Sequence, residues 1–491
     1  MDFLDPKKKR ANIIRLYVGY FLMAIALGIG TLILLLKVNG YDIDRKTGDV
    51  IQNGLVFVDA HPESADIYIN GENKGSTSSR FDLPAGNYNL ELKRDGYRSW
   101  AKSFTLEGSS IERLVYPFLF PEKLNSGDVQ LYANTPSFAS QSPDRHWLVV
   151  QQPGSLTGFD MLDTSTPTGA ITTLSLPAGL LTPTGATHKL ELAEWSTDNR
   201  HMVMKHIFDG GSEFILVDRE SPASSVNLNK HFARPISQLM LRDKKYDQYY
   251  LNDDKSELVA TDLKNKQIVP IASQVISFRP HGADMLLFVT AQGAPKDKVL
   301  VKIRSGVDQY TLRELPVGPQ YLLDIAQFDN KWYMAVGTGD DKRTYIYKDP
   351  FEDLRRREPR VPTPIALLRL ENPLESVAFS ANTRFISVQS GSKFAVYDAE
   401  EERQYRYDTQ ISLAPNQKAS WMDGHRLAVV SADSTLTVFD FDGLNKQSLM
   451  KVNPTFIPYF DRDYRELYTI APSVTVPSKS AVIRTEMRIK Q

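Results

Sequence analysis

From residue 127 onward the chain keeps returning to one order of residue types, with a period of 40 to 55 residues, and no other feature limits its fold so strongly. In each unit an aromatic or apolar residue precedes a polar turn. An apolar run follows, then a Gly/Asp-rich turn, then a second apolar run that closes at an acid. Opening turns include Gln141-Ser142-Pro143-Asp144, Trp195-Ser196-Thr197-Asp198, Phe379-Ser380-Ala381-Asn382 and Trp421-Met422-Asp423-Gly424. Closing acids include Asp163, Asp218, Asp262, Asp349, Asp398 and Asp440. Eight units align in this way. In the sixth, Val377/Phe379, Phe385 to Val388, Phe394 to Tyr397 and Tyr405/Tyr407 read as four strands, and the seventh repeats them from Ser420 to Leu449.

A short four-stranded sheet with two apolar faces cannot bury both alone, so such units must stack side by side. Four strands per 40 to 45 residues is the spacing of a propeller blade. The expected fold class is therefore mainly β: an N-terminal transmembrane helix, a small β-sandwich, and over residues 127–491 a β-propeller of eight four-stranded blades, seven being the alternative. Closure of the ring would pair Asp128 to Tyr132, as an outer strand, with Ala481 to Arg484 of the last blade. The units resemble WD-repeat-like propellers of the TolB type, in which an aromatic-Ser-Pro-Asp-Gly phrase opens the second strand. Ser142-Pro143-Asp144-Arg145 is the nearest copy.

Charge sets the topology. Residues 1 to 15 carry five basic and two acidic side chains, whereas residues 38 to 491 carry 52 basic against 57 acidic. Between them Leu16 to Leu36 is a run of 21 residues without a charge. As a helix it would be about 31 Å long, enough to cross a hydrocarbon core. Tyr17 and Tyr20 stand near its first interface. A cleaved signal peptide is the rival reading, with Ala24-Ile25-Ala26 as the cleavage site, but the apolar run continues for ten residues beyond it. The positive-inside rule leaves the basic tail in the cytoplasm and the bulk of the chain outside.

Residues 54 to 116 read as a compact all-β module. Leu55 to Val58, Ile67 to Ile69, Tyr88/Leu90/Leu92 and Trp100/Phe104/Leu106 are expected strands, and Asn70-Gly71 and Asp95-Gly96 supply tight turns. With Pro62-Glu63-Ser64-Ala65, Pro84-Ala85-Gly86-Asn87-Tyr88 and Asp95-Gly96-Tyr97, the module resembles the PEGA domain family. Ser64 stands where that family has glycine. The resemblance implies a surface-exposed or membrane-anchored protein of prokaryotic type and brings no catalytic residue with it. A linker over 37–53 and a Pro-bracketed aromatic connector over 117–126 complete the expected domain order.

Zero cysteine removes disulfides, thiolate metal sites and cysteine nucleophiles. A net charge of −1 argues against general nucleic-acid binding. The chain has no nucleophile elbow, HExxH pair, P-loop or GxGxxG. No catalytic, cofactor-binding or metal-ligating residue is assigned. His201 and His206, five apart, suit neither one helix face nor one strand face, and Asp253-Asp254 and Asp340-Asp341 sit where turns need aspartate rather than calcium. Asp42 and Asp44 with Gly48 begin a calcium-loop pattern that Lys46 interrupts. Trp195 and Trp421 recur in register and read as wedges between blades. The one candidate partner patch is Arg355, Arg356, Arg357 and Arg360, in the longest late connection. The expected function is non-catalytic: a membrane-anchored, extracytoplasmic propeller that binds a protein or a cell-envelope polymer, with the lipid bilayer as the other partner. The alternatives are a propeller hydrolase or lyase with residues from several blades, and a structural subunit of an envelope assembly.

Overall fold

The computed structural model describes residues 6–38, 40–43, 50–166, 171–183, 188–356 and 360–489. It divides into two compact units, with the boundary between Lys123 and Leu124.

The first unit opens with a continuous helix, Pro6–Val38, that contains the whole run from Leu16 to Leu36. It is long and apolar enough to cross a membrane: its core stretch has a mean hydropathy of 2.4, and none of that stretch is buried. A helix of a soluble core would hide such a surface. The Asp42/Asp44 calcium pattern runs into residues 44 to 49, which lie outside the described residues.

After the helix come two four-stranded sheets. In one, Val50–Val58 pairs with Ser79–Pro84, with Tyr41–Ile43 and, in parallel, with Ile111–Leu114. In the other the order is Glu72–Ser76, Asp66–Ile69, Gly86–Lys93, Trp100–Leu106. Alternate residues face inward, as a half-buried strand requires, and Val56, Val58, Ile67, Leu90, Leu92 and Trp100 form the core. The Asn70-Gly71 and Gly96 turns take the positive φ that their residue types favour. Ser64 adopts φ 66, so a serine holds the left-handed position where the PEGA pattern has glycine. The aromatic segment expected to be a connector packs into this unit. Tyr116, Phe118, Leu119 and Phe120 are buried, and bridges join Phe118 to His61 and Pro121 to Tyr97.

Among the described residues the second unit contains eight four-stranded sheets. They are blade 1 (139–175), blade 2 (188–227), blade 3 (238–272), blade 4 (275–316), blade 5 (321–369), blade 6 (376–408), blade 7 (420–451) and blade 8 (459–486 completed by 125–132). The ring closes as the sequence suggested: Ala481 pairs with Leu131, Val482 with Gln130 and Ile483 with Asp128. Asp128 seals this seam further by accepting bonds from Ser473 Oγ, Val474 N and Thr475 N at 2.7, 2.9 and 3.0 Å.

Each gap between neighbouring blades holds its own apolar cluster. Met202 and Met204 of blade 2 face blade 1, whereas Val203 between them faces blade 3. Leu148 and Val150 of blade 1 meet Tyr468 and Ile470 of blade 8, and Val149 turns the other way. This is the period-two alternation of a strand buried on both faces. It explains why the second and third strands of most blades read as unbroken apolar runs. First strands of blades 2 to 6 touch one another in succession, so the first strand of each sheet lines the axis.

Candidate functional site

The polar side chains of the inner wall fall into two groups, those that hold the ring together and those left to face open space. The first strands have free edges, whose backbone groups need partners away from their own sheets. Side chains from neighbouring blades supply them. Glu194 of blade 2 accepts from Leu241 N at 2.7 Å. Gln238 of blade 3 donates to Ile276 O at 3.0 Å. His281 bonds Ile325 O at 3.2 Å, Asp324 accepts from Phe379 N at 3.2 Å, and Gln141 donates to Phe460 O at 3.0 Å. Burial pushes the Glu194 carboxyl above its usual range, against the opposing pull of the Leu241 amide, Lys244 and Arg279. These stitches give the charged residues of the axis a structural task.

A cavity of about 500 Å³ remains against the first strands of blades 7, 8, 1 and 2. Phe138, Trp421, Phe456, Tyr459 and Phe460 supply much of its wall, with Leu192, Met422, Ile457 and Pro458. Leu192 and Ile457 are 39% and 49% exposed, so apolar surface faces solvent there. Arg145 stands at one end. Its Nη2 donates to Met422 O at 3.0 Å, and the guanidinium lies 4.6 Å from the Tyr464 ring centroid, so one side chain reaches past blade 8 to blade 7. Lys189 and Glu191 also line the cavity, paired at 2.6 Å and well exposed. They share one face of their strand because Leu190 between them is buried against blade 1. A β-bulge between Leu192 and Glu194 re-aims the rest of that strand.

Of the residues singled out in the sequence, Trp195 wedges between blades 1 and 2 and donates to Ser140 Oγ at 2.7 Å. Trp421 packs between blades 6 and 7 and also lines the cavity. Arg355 donates to Ser305 Oγ at 2.9 Å with its guanidinium over Phe351. Arg356 donates to Glu352 O at 3.0 Å and pairs with Asp353 at 3.5 Å, while Arg360 is held through its backbone to Asp353 O. Arg357 lies outside the described residues. This patch occupies the last connection of blade 5, away from the cavity walls.

Two of the repeated acids are arginine clasps. Arg200 grips Asp218 through Nε at 2.8 Å and Nη2 at 2.6 Å, and Arg384 grips Asp398 with the same two distances. The same acids accept the amides of the following turn, from Glu220 and Ser221 in blade 2 and from Glu400 and Glu401 in blade 6. Burial opposes ionisation of Asp218, yet Arg200 and those amides hold it down at about 2. Asp253 likewise caps its own turn through Lys255 N and Glu257 N and pairs with Arg234. His201 is bonded to Asp198 at 2.6 Å, and His206 to Glu213 at 2.9 Å. Lys189 and Glu191 escaped the sequence reading. Their only signal was two opposite charges at spacing two beside a core leucine.

Residues 53–114 match the PEGA domain family. The solved structures similar to the chain include the C-terminal WD40 domain of Sif2, 12% identical over 73% of this chain and 97% of that one, with a TM-score of 0.48. The Dos1 propeller is 12% identical over 75% and 96%, TM-score 0.46. Oligogalacturonate lyase in complex with manganese is 11% identical over 74% and 98%, TM-score 0.39. No curated protein matches the chain in sequence. The chain thus joins, behind one N-terminal apolar helix, a PEGA domain and a β-propeller of eight blades.

Proposed function

We propose that this chain is a non-catalytic binding protein tethered to a membrane by Leu16 to Leu36, with its basic tail in the cytoplasm and its propeller outside. The ligand is a protein segment or an envelope polymer, taken up at the cavity formed by blades 7, 8, 1 and 2. The observation that carries this reading is the cavity itself. It lies within the usual size of ligand sites, about 300 to 1,000 Å³, and combines an aromatic wall with a few polar groups. The acids and histidines elsewhere on the inner wall are engaged with backbone edges, which favours recognition over chemistry. The unburied helix and the charge difference across it support the tether and its direction.

A photo-crosslinking residue placed at Leu192 or Ile457 in whole cells tests the site. One discrete adduct is expected from these positions and none from Val307, an exposed turn residue of blade 4. Equal labelling at all three positions would remove the cavity from consideration. For topology, protease added to spheroplasts is expected to digest the bulk of the chain, and its protection would reverse the orientation.

A further inference from the structure

Blade 2 carries a second polar cluster that the binding reading does not use. Glu213 is buried on the third strand, and four donors converge on its carboxylate: Thr182 N at 2.7 Å, Thr182 Oγ1 at 2.6 Å, Asn227 Nδ2 at 2.7 Å and His206 Nδ1 at 2.9 Å. Donors converging on both oxygens are what a carboxylate, an acceptor at every lone pair, accommodates. Among the described residues no lysine or arginine pairs with it. A buried negative charge is thus held by neutral donors and one imidazole.

That imidazole is fully buried and has its orientation fixed by Glu213 on one side and the Phe208 ring on the other. With Nδ1 donating, the His206 Nε2 lone pair points outward, and His188 Nδ1 stands 3.3 Å from it. The two ring centroids are 5.5 Å apart with an interplanar angle of 15°. That separation is close to the N···N distance plus the two ring radii, so the rings meet edge to edge rather than face to face. Their nitrogens therefore point toward each other across a short gap.

A carboxylate fixing one nitrogen of a histidine so that the other can bind a metal is the usual outer-shell arrangement of protein metal sites. Two nitrogens at 2.0 to 2.1 Å from a tetrahedral ion lie about 3.3 Å apart. We propose that His206 Nε2 and His188 Nδ1 form a two-imidazole clamp for a late first-row transition ion of the zinc, copper and nickel class, backed by Glu213. The ion takes the place of the His188–His206 hydrogen bond and sets a positive charge beside the buried Glu213. Among the described residues no third His, Asp or Glu converges with them as a metal group, so water or a ligand donor completes the coordination sphere. His188 is exposed at the start of its strand and can turn to meet the ion.

Among the described residues the His–Glu pair of blade 2 is not repeated in the blades compared by register. Counted by strand register, the positions of His206 and Glu213 are Ser390 and Lys393 in blade 6, Thr290 and Leu300 in blade 4, and Ala471 and Ala481 in blade 8. The blade fold does not require the pair.

Titration of the full chain in detergent with Zn²⁺, followed by calorimetry, tests the proposal. One saturable site per chain is expected, with a zinc-dependent rise in unfolding temperature. H188A, at an exposed position that leaves the fold intact, is expected to weaken that binding at least tenfold and abolish the temperature shift. E213Q is expected to weaken it about 10- to 100-fold, the range typical of outer-shell partners. Absence of saturable binding to the wild type, or equal binding by wild type and H188A, overturns the clamp and leaves the pair as a hydrogen bond.

Discussion

One hairpin of blade 2 carries an acid–base pair at each end, and the two have different histories in the ring. At one end Arg200 grips Asp218, and at the other His206 meets Glu213. The first pair has a duplicate in blade 6, Arg384 and Asp398, and a variant in blade 7, where Arg426 and Asp440 are 3.7 Å apart and His425 takes the place before the strand. Among the described residues the second pair has no counterpart in blades 4, 6 and 8. What recurs in register belongs to the blade as a folding unit, while what appears once has been placed there for another reason.

The largest expected effect comes from breaking a recurrent clasp. Asp398 is fully buried, and D398A would leave the mostly buried Arg384 with only the half-exposed Glu400 as an ionic partner and strip the turn amides of Glu400 and Glu401 of their acceptor. The expected loss is about 3 to 5 kcal/mol, read as a lower midpoint in denaturant for the full chain. Replacing both partners, by R384M with D398L, should recover part of it, because an apolar pair removes the stranded charge. A loss under about 1 kcal/mol for D398A would place the clasp among ordinary surface pairs and weaken the contrast.

The unique pair should behave otherwise. H188A is expected to cost about 1 kcal/mol, the net worth of its one hydrogen bond to His206. H206A removes one of the four donors to Glu213 and should cost about 1 to 3 kcal/mol. If H188A destabilised the propeller as much as D398A, the pair would be structural after all, and its single occurrence would lose its meaning.

This contrast also marks how far the sequence could be read. The closing acids were visible because several answer the same local demand, a turn whose amides need an acceptor, as at Asp163, Asp218, Asp262 and Asp398. Hairpin positions such as Asn70-Gly71 were visible for the same reason. The seam was visible because Asp128 to Tyr132 had no other unit to join. The cavity was not. Its walls come from strands as far apart in the chain as Ala139 and Tyr459, which meet only when the ring closes, Tyr459 Oη donating to Ala139 O at 2.9 Å. The partners of His206 were not legible from its spacing to His201, because they lie across the hairpin at Glu213 and on the adjacent strand at His188.

A smaller effect separates the clasps from their blade 7 variant by pH. Asp218 has its pKa near 2 in the fold against 3.8 ordinarily, so its contribution is complete above pH 3.8 and is lost as pH falls through about 2. Burial beside Arg426 takes His425 the other way for a base, down to about 4 from 6.5. Between those values the unfolded chain binds the extra proton, so stability falls as pH drops from 6.5 to 4. Midpoints measured across pH should show two separate slopes. H425N is expected to reduce the one between pH 6.5 and 4, and D218N to reduce the one below pH 4, where Asp128 also contributes. A single slope erased by either variant would mean that the two blades titrate as one unit.

The smallest effect on stability is expected at the cavity, and there it is most informative. Lys189 and Glu191 are 63% and 43% exposed, so their ion pair is worth no more than about 1 kcal/mol, and neither K189E nor the double swap K189E/E191K should move the midpoint beyond that. Rim charges act instead on encounter with a partner and on its salt dependence. If the pair helps select the ligand, K189E should reduce adduct formation from Leu192 severalfold, and the swap should not restore it, since the swap keeps the pair but reverses its direction along the strand. If recognition rests on the aromatic wall alone, all three proteins will label alike at every ionic strength. The swap therefore separates a charge that holds the strand from a charge that reads the ligand, which is the same distinction that register draws between the two ends of the blade 2 hairpin.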